Sequence, residues 1–372
     1  MKNYKTSNGD SMKKIGREVL FLDANEDNPR NGEGTFLRLK DNSILFVYSK
    51  FSGNDWHDEC AADIAAFTSY DDGETWMDER IIFAHDDNSR NYMCPSLVRM
   101  NNGDVGLIFL RKAKENESGI PYFARSADEG KTFTTPKKFI DDNENYFVIE
   151  NDHAIKLQNG RIILPANYHS RLIDGEMKIV EHGLKCIFAS DDDGESWSEI
   201  AERQDIPFSD KSETGLQETT VYQHSDGVLH AFSRTDLGFQ FECFSYDNGE
   251  TWTEPSPNRF FSSPDSPLLM KRVGEFTVAV FNPIPNYTTR PNADGNVWGR
   301  TPLVCAVSED NGKTFNPDRI YALEDDPNNG YCYPGIIEGE DYFLVAYYHS
   351  NNNECPLTCC KMVKVMYSEI TA

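Results

Sequence analysis

Ser69-Tyr70-Asp71-Asp72-Gly73-Glu74-Thr75-Trp76 spells a pattern, Ser-x-Asp-x-Gly-x-Thr-Trp, that returns four more times in the chain. SADEGKTF runs from Ser126 to Phe133, SDDDGESW from Ser190 to Trp197, SYDNGETW from Ser245 to Trp252 and SEDNGKTF from Ser308 to Phe315. Successive starts lie 57, 64, 55 and 63 residues apart. A short pattern at a nearly constant period marks a repeat architecture. Each position has a physical task. Glycine at the fifth place permits φ > 0 in a tight turn. Aspartate at the third can fold back onto turn amides. The hydroxyl residues add hydrogen-bond partners, and the closing Trp or Phe supplies apolar area for packing. One such turn would say little; five with an aromatic at the same offset decide the fold. The motif speaks of structure rather than of chemistry.

Between the turns, short apolar runs alternate with turn signals. Gly34 to Tyr48 reads as strand, Asp-Asn-Ser turn and strand, and Ser96 to Phe109 has the same grammar around Asn101-Asn102-Gly103. His153 to Pro165 turns at Asn159-Gly160, Thr219 to Phe232 at Ser225-Asp226-Gly227, and Gly335 to Tyr347 near Gly339. No segment carries a convincing amphipathic helix. Residues 1–16 read as a polar tail and 17–372 as one domain, because the repeats leave no long stretch for a second.

Composition narrows the function classes. The 372 residues carry a formal net charge of −25. Nucleic acid and anionic membrane are therefore poor partners, since both call for basic surface. A few arginines in a pocket can still reverse the field locally for a small anion. The first residues hold lysines but no apolar run of the kind a secretory signal needs, and no stretch approaches a membrane span. The nine cysteines are scattered and odd in number. Cys355-Pro-Leu-Thr-Cys359-Cys360 lacks the paired spacing and histidine partners of a zinc site. The expectation is free thiols, no metal or organic cofactor and a cytoplasmic location.

The five turns resemble the Asp-box, or bacterial neuraminidase repeat, of the sialidase superfamily. The resemblance covers roughly residues 20 to 367 and implies an all-β, six-bladed β-propeller. Dividing 372 residues by six gives 62 per blade, in line with the observed steps. Five boxes suit six blades if one blade lacks a box or is closed by strands from both termini. The resemblance further implies an exo-glycosidase with a site on the propeller axis: arginines for a substrate carboxylate, a tyrosine nucleophile with a glutamate partner, and an aspartate acid/base. A neutral phenol suits an anomeric centre that bears a carboxylate, which would repel a carboxylate nucleophile. Because a phenol titrates near ~10, a base must assist it.

Carried onto this chain, the nucleophile falls on Tyr333 in Gly330-Tyr-Cys-Tyr-Pro-Gly, with Tyr331 as its rival. Its partner falls on Glu218 in Gly215-Leu-Gln-Glu, and Arg234 closes the return strand. Arg300 precedes a box by eight residues, with Arg290 as an alternative. Asp58 is the acid/base candidate, beside Glu59 and Asp63. The first arginine departs from the pattern. The family's Arg-Ile-Pro is replaced by Asn28-Pro-Arg30-Asn-Gly-Glu33, so Arg30 lies a few residues early and Glu33 occupies the nearest match. An acid there favours a hydroxyl-rich, less anionic sugar. Asn151-Asp152-His153 and Asn167-Tyr168-His169-Ser170-Arg171 fall at strand ends, where Asp152, His153 and His169 can line a sugar site. Trp56, Tyr92 and Trp298 are candidate stacking platforms. Two other readings stay open: a polysaccharide lyase using His and Tyr on uronate-containing glycans, and a non-catalytic glycan-binding propeller.

Overall fold

A computed structural model describes residues 12–53, 55–114, 117–140, 145–285, 298–350 and 357–371. Twenty-five strands form six antiparallel sheets. The first strand, β1 (Arg17–Leu22), joins the last blade rather than the first. The first blade is β2 (Asn31–Arg38), β3 (Ile44–Phe51), β4 (Ala62–Ser69) and β5 (Met77–Phe83). The second is β6 (Ser89–Arg99), β7 (Val105–Ala113), β8 (Gly119–Ser126) and β9 (Lys137–Lys138). In the third, a broken inner strand, β10 (Phe147–Val148) and β11 (Ile155–Lys156), pairs with β12 (Ile162–Ile173), followed by β13 (Glu176–Ser190) and β14 (Ser198–Glu199). The fourth is β15 (Gln217–Gln223), β16 (Leu229–Arg234), β17 (Phe239–Ser245) and β18 (Ser256–Ser262). The fifth is β19 (Leu269–Val273), β20 (Phe276–Phe281), β21 (Leu303–Ser308) and β22 (Ile320–Glu324). The sixth is β23 (Tyr331–Glu338), β24 (Tyr342–His349) and β25 (Cys359–Met366), completed by β1, which pairs antiparallel with β25. The protein is a six-bladed β-propeller.

This closure explains why there are five boxes. Each box is the turn between the third and fourth strand of a blade, opening on Ser69, Ser126, Ser190, Ser245 and Ser308 at the ends of β4, β8, β13, β17 and β21. In the sixth blade, β25 runs into a single helical turn, α1 (Tyr367–Ile370), and the fourth strand comes from the other end of the chain. No turn connects them.

The geometry inside each box is the same. In the first, Ser69 Oγ donates to Asp71 Oδ1 (2.9 Å) and accepts from the Gly73 amide (2.8 Å). Asp71 takes the Thr75 amide (2.8 Å) and hydroxyl (2.6 Å). In the second box, the Thr132 hydroxyl and amide hold the Asp128 pKa down at about 2. The fourth and fifth residues are both left-handed, as at Asp193 (φ 62) and Gly194 (φ 84). That conformation presses the turn onto the preceding blade. Asp72 accepts from Tyr342 (2.9 Å), Asp193 from the Asn101 amide (2.7 Å) and Asn311 from Tyr222 (2.8 Å).

Apolar clusters fill the six clefts between neighbouring blades, and these clefts are the core. The hairpin β19–β20, which turns at Gly274, was missed in the sequence, where Gly-Glu is a weaker turn signal than Asn-Gly. The segment read as a tail is packed from Lys13 onward: Ile15 is buried and its amide donates to Ala322 (2.9 Å). Residues 1–11, Arg290 and Cys355 lie outside the described residues. The eight described cysteines are free thiols. No described helix is long and apolar enough to cross a membrane.

Two left-handed glycines, Gly194 in the third box and Gly175 in the β12–β13 hairpin, separate steric from backbone cost. A Cβ on Gly194 would sit 2.5 Å from the Phe123 ring, whereas Gly175, equally left-handed (φ 85), faces open space. Gly194→Ala should destabilise the protein by about 1–3 kcal/mol through overpacking as well as strain. Gly175→Ala should cost about 1 kcal/mol from its backbone alone. Urea unfolding of the pair checks the difference.

Candidate active site

The blade topology sorts the chain into two faces. Box turns and first hairpins lie on one; the starts of inner strands, the ends of second strands and the loops that follow lie on the other. A cavity of about 1100 Å³ opens on this second face, around the axis. Arg30, Asp58, Glu218, Arg234, Arg300, Tyr333 and His169 all line it.

A recurrent backbone device aims the side chains inward. Near the start of five of the six inner strands, one non-glycine residue takes a left-handed conformation: Glu33 (φ 53), Cys94 (φ 54), Asp152 (φ 63), Glu218 (φ 46) and Tyr333 (φ 54). Four of these sit where the pairing register slips, in β2, β6, β15 and β23. A bulge of this kind bends the strand and turns one side chain out of the pleat. Three of the five residues are candidates for chemistry or its support.

Tyr333 and Glu218 meet across the axis. The Tyr333 hydroxyl donates to Glu218 Oε1 at 2.7 Å. Arg234 Nη1 donates to the same oxygen and lies 3.4 Å from the Tyr333 hydroxyl. The other edge of Arg234 forks onto Asp265, Nε to Oδ1 (2.5 Å) and Nη2 to Oδ2 (2.7 Å), which fixes its plane. Arg300 passes 5.3 Å from the Tyr333 ring. It is buried, and its Nη2 donates to the Asp265 carbonyl (3.1 Å) while Nη1 faces Cys332 Sγ (3.4 Å). Its Nε has no partner, and no carboxylate among the described residues forms an ion pair with it. Burial and the Glu218 carboxylate hold the Tyr333 phenol well above its ordinary pKa, with Arg300 and Arg234 acting the other way. The resting phenol is protonated.

Arg30 is the most enclosed of the three arginines. Its Nε donates to the Tyr348 hydroxyl (2.7 Å) and Nη1 to the Trp56 carbonyl (3.2 Å). Nη1 also meets Asp58, and Nη2 meets Glu33, whose other oxygen accepts from Ser49 (2.8 Å). The Arg30–Glu33 pair is almost entirely buried, whereas the Asp58 side chain remains 55% exposed at the mouth. Burial would raise the Asp58 pKa, but the charges of Arg30, Lys112 and Arg300 with the Arg30 hydrogen bond together outweigh it and bring it down to about 2. Asp58 is therefore ionised at rest.

Other expected residues fall elsewhere. Asp152 does not line the cavity. It accepts from Thr35 (2.8 Å), the Ile336 amide (2.8 Å) and Lys271 (2.6 Å), tying three inner strands around the axis. His153 is a core histidine, with Nδ1 donating to the Thr219 carbonyl (3.1 Å) and a pKa that burial lowers to about 3. Both were expected at the rim; the broken inner strand carries them inward instead. Tyr331 is buried inside its blade against Tyr347 and His349. Asp63 caps His85, and Tyr92 bonds Asp86 outside the cavity. Glu59 lines the mouth but pairs with Arg90 (2.8 Å). Tyr168 points away, to Asn145 (2.6 Å). Trp56 and Trp298 stand at the mouth with ring centres 6.2 Å apart.

Three pocket-lining groups, Lys112, Tyr146 and Glu150, went unread in the sequence, as did Asp265, which braces Arg234. Asp265 follows a proline in Ser-Pro-Asp-Ser-Pro, an ordinary turn signal. Glu150 immediately precedes the Asn151-Asp152-His153 run that drew notice, and a shift of one residue separates wall from strut. Among the described residues no cluster of His, Cys, Asp and Glu is arranged to hold a metal ion.

The signature of the BNR repeat-like domain matches residues 46–345. The chain belongs to the BNR repeat-like domain family. Within sequence comparisons, this BNR repeat-like chain is 24% identical over 230 residues to a sialidase of Bacteroides fragilis (strain YCH46), covering 60% of the chain and 39% of that relative. Among solved structures, an intramolecular trans-sialidase from Ruminococcus gnavus superposes with a TM-score of 0.70 at 12% identity, over 96% of this chain and 98% of that one. A protein of unknown function from Dyadobacter fermentans DSM 18053 does so with a TM-score of 0.68 at 17% identity, over 94% and 99%. At these identities the superpositions speak for the fold.

The two carboxylates on Arg30 should differ in weight. Glu33→Ala strands a buried guanidinium and should cost about 3 kcal/mol. Asp58→Ala removes a half-exposed partner and should cost less than about 1 kcal/mol. Chemical denaturation of both variants measures the contrast.

Proposed function

We propose that this protein is a retaining exo-glycosidase that releases a terminal, carboxylate-bearing sugar from glycans by a sialidase-like route. The 2.7 Å hydrogen bond between the Tyr333 hydroxyl and Glu218, in a pocket that also holds Arg300 without a carboxylate partner among the described residues, carries this reading. A buried cation of that kind calls for an anion. A substrate carboxylate laid between Arg300 and Arg234 answers the call and sets the anomeric carbon over the phenol. Glu218 takes the phenol proton as the Tyr333 oxygen bonds to the anomeric carbon and the glycosidic C–O bond breaks. Asp58 gives its proton to the departing oxygen, then takes one from the water that cleaves the tyrosyl intermediate, and Glu218 returns its proton to the phenol.

Asp58 must gain a proton before it can act as acid. Its low pKa comes from the combined charges of Arg30, Lys112 and Arg300, so a substrate carboxylate held by Arg300 lets the Asp58 pKa climb toward the ordinary carboxylate range near ~4. Likeness to the sialidase of Bacteroides fragilis and the trans-sialidase of Ruminococcus gnavus favours sialosides among acidic sugars.

A panel of sialosides, uronosides and neutral aryl glycosides tests the reading. Sialic acid release is expected, and Tyr333→Phe should lower kcat at least about a thousand-fold without unfolding the protein. Hydrolysis that survives this substitution would overturn the assignment. Asp58→Asn should slow alkyl-linked substrates about 10²–10⁴-fold while sparing those with good leaving groups such as nitrophenols. Equal losses on both would remove Asp58 from the acid role.

One observation favours a second chemistry. His169 leaves a buried Nε2 without a partner, its ring meets Tyr146 edge to face at 6.4 Å, and Lys112 lies over the Tyr146 ring at 5.6 Å. This trio could serve β-elimination on a uronate, visible as new ultraviolet absorbance that persists in Tyr333→Phe.

A further inference from the structure

The pocket holds one carboxylate that the mechanism leaves unused. Glu150 is 4% exposed and lines the cavity. Its backbone carbonyl accepts from Ser96 (3.3 Å), which anchors it, but its Oε2 has no hydrogen-bond partner among the described residues. Leaving a buried polar atom unmatched costs about 1–3 kcal/mol, a cost with no structural return here. The next residue, Asn151, bonds the Gly34 and Pro334 carbonyls (2.8 and 3.2 Å), and Asp152 ties the inner strands. Glu150 is thus buried two residues before the axial strut, and we take that inner end of the cavity as its floor. Glu218 beside it also has a buried, unmatched Oε2.

We propose that Glu150 is a specificity residue of this pocket, exchanging hydrogen bonds with one hydroxyl of the bound sugar at the floor. The inference rests on the glycosidase reading and adds to it which end of the sugar is inspected. A floor residue cannot serve as acid to the aglycone, because the leaving group of an exo-enzyme departs through the mouth, where Asp58 stands. The groups facing Glu150 are the Glu218, Glu33 and Asp58 carboxylates and the Arg234 guanidinium. Three carboxylates disfavour a second anion at this depth. Burial first, then Glu218 and Glu33, push its pKa well above the usual carboxylate range, so the group is a neutral acid with both a donor and acceptors. An alcohol matches that pair. A site built to hydrogen-bond a hydroxyl rejects an analogue lacking it far more strongly than an apolar site rejects a lost methylene.

The test uses the full chain with 4-methylumbelliferyl N-acetylneuraminide and its 4-, 7-, 8- and 9-deoxy analogues. The wild type should lose about 100-fold or more in kcat/KM on one analogue and little on the others. Glu150→Gln, which keeps a donor and an acceptor, should stay within about tenfold of wild type on the parent. Glu150→Leu should treat the parent and that analogue alike. Equal wild-type rates on all five substrates, or a Glu150→Leu loss by the same factor on each, would overturn the proposal. If no sialoside is cleaved, the glycosidase reading fails on its own, and Glu150 is then judged by melting-temperature shifts with free N-acetylneuraminate, glucuronate and galactose. A shift lost in Glu150→Leu and kept in Glu150→Gln supports the inference. A shift that persists in Glu150→Leu, or no shift in the wild type, overturns it.

Discussion

Left-handed residues at the mouths of the inner strands are the constraint on which the site depends. An inner strand of a propeller presents its side chains alternately to the two neighbouring blades, and no position in a regular strand points along the axis. A bulge with one residue at φ near 50° breaks that alternation. The same device at Glu33, Glu218 and Tyr333 turns two carboxylates and a phenol toward a common centre from three separate blades. Non-glycine residues held there cost about 1–3 kcal/mol each. Cohesion in the six inter-blade clefts offsets this strain.

Charge compensation is the second constraint. The pocket gathers three arginines, two of them buried, and the chain supplies counterions in unequal measure: two carboxylates for Arg30, two for Arg234 and none among the described residues for Arg300. That inequality makes the cavity more than a hole. Where the arginine is matched, its plane is locked; where it is unmatched, an anionic ligand gains most. The orphaned atoms of Glu150 and His169 extend the same logic to uncharged groups.

Division of labour between the two faces accounts for the pattern of success in reading the sequence. Asp-box turns act locally: four hydrogen bonds within eight residues, two left-handed positions and one glycine approached closely by the blade before it. Everything they need is written within the motif, so they were legible. Tyr333, Glu218, Arg234 and Arg300 were reached through the resemblance to the sialidase family, whose site residues fall in the same order among hairpins and boxes, and the structure brings them into one cavity. Asp152 and His153 show the limit. They follow Glu150 by two and three residues, yet whether a residue lines the pocket or braces the axis turns on a break in one inner strand that no local pattern announces.

The sequence by itself determined the repeat and most of the places where strands turn, because each follows from short-range hydrogen bonding and apolar periodicity, while the number of blades came from the family resemblance that the repeat carries. It also limited the partners, because a charge of −25 is a sum over residues. Only the tertiary structure decided which acids share a pocket with which arginines. Arg30 meets Asp58 and Tyr348, the latter 318 residues away, and Glu218 meets Tyr333 across 115 residues. Such pairings depend on closure of the ring and on where each inner strand bulges, both of which are settled by the packing of whole blades.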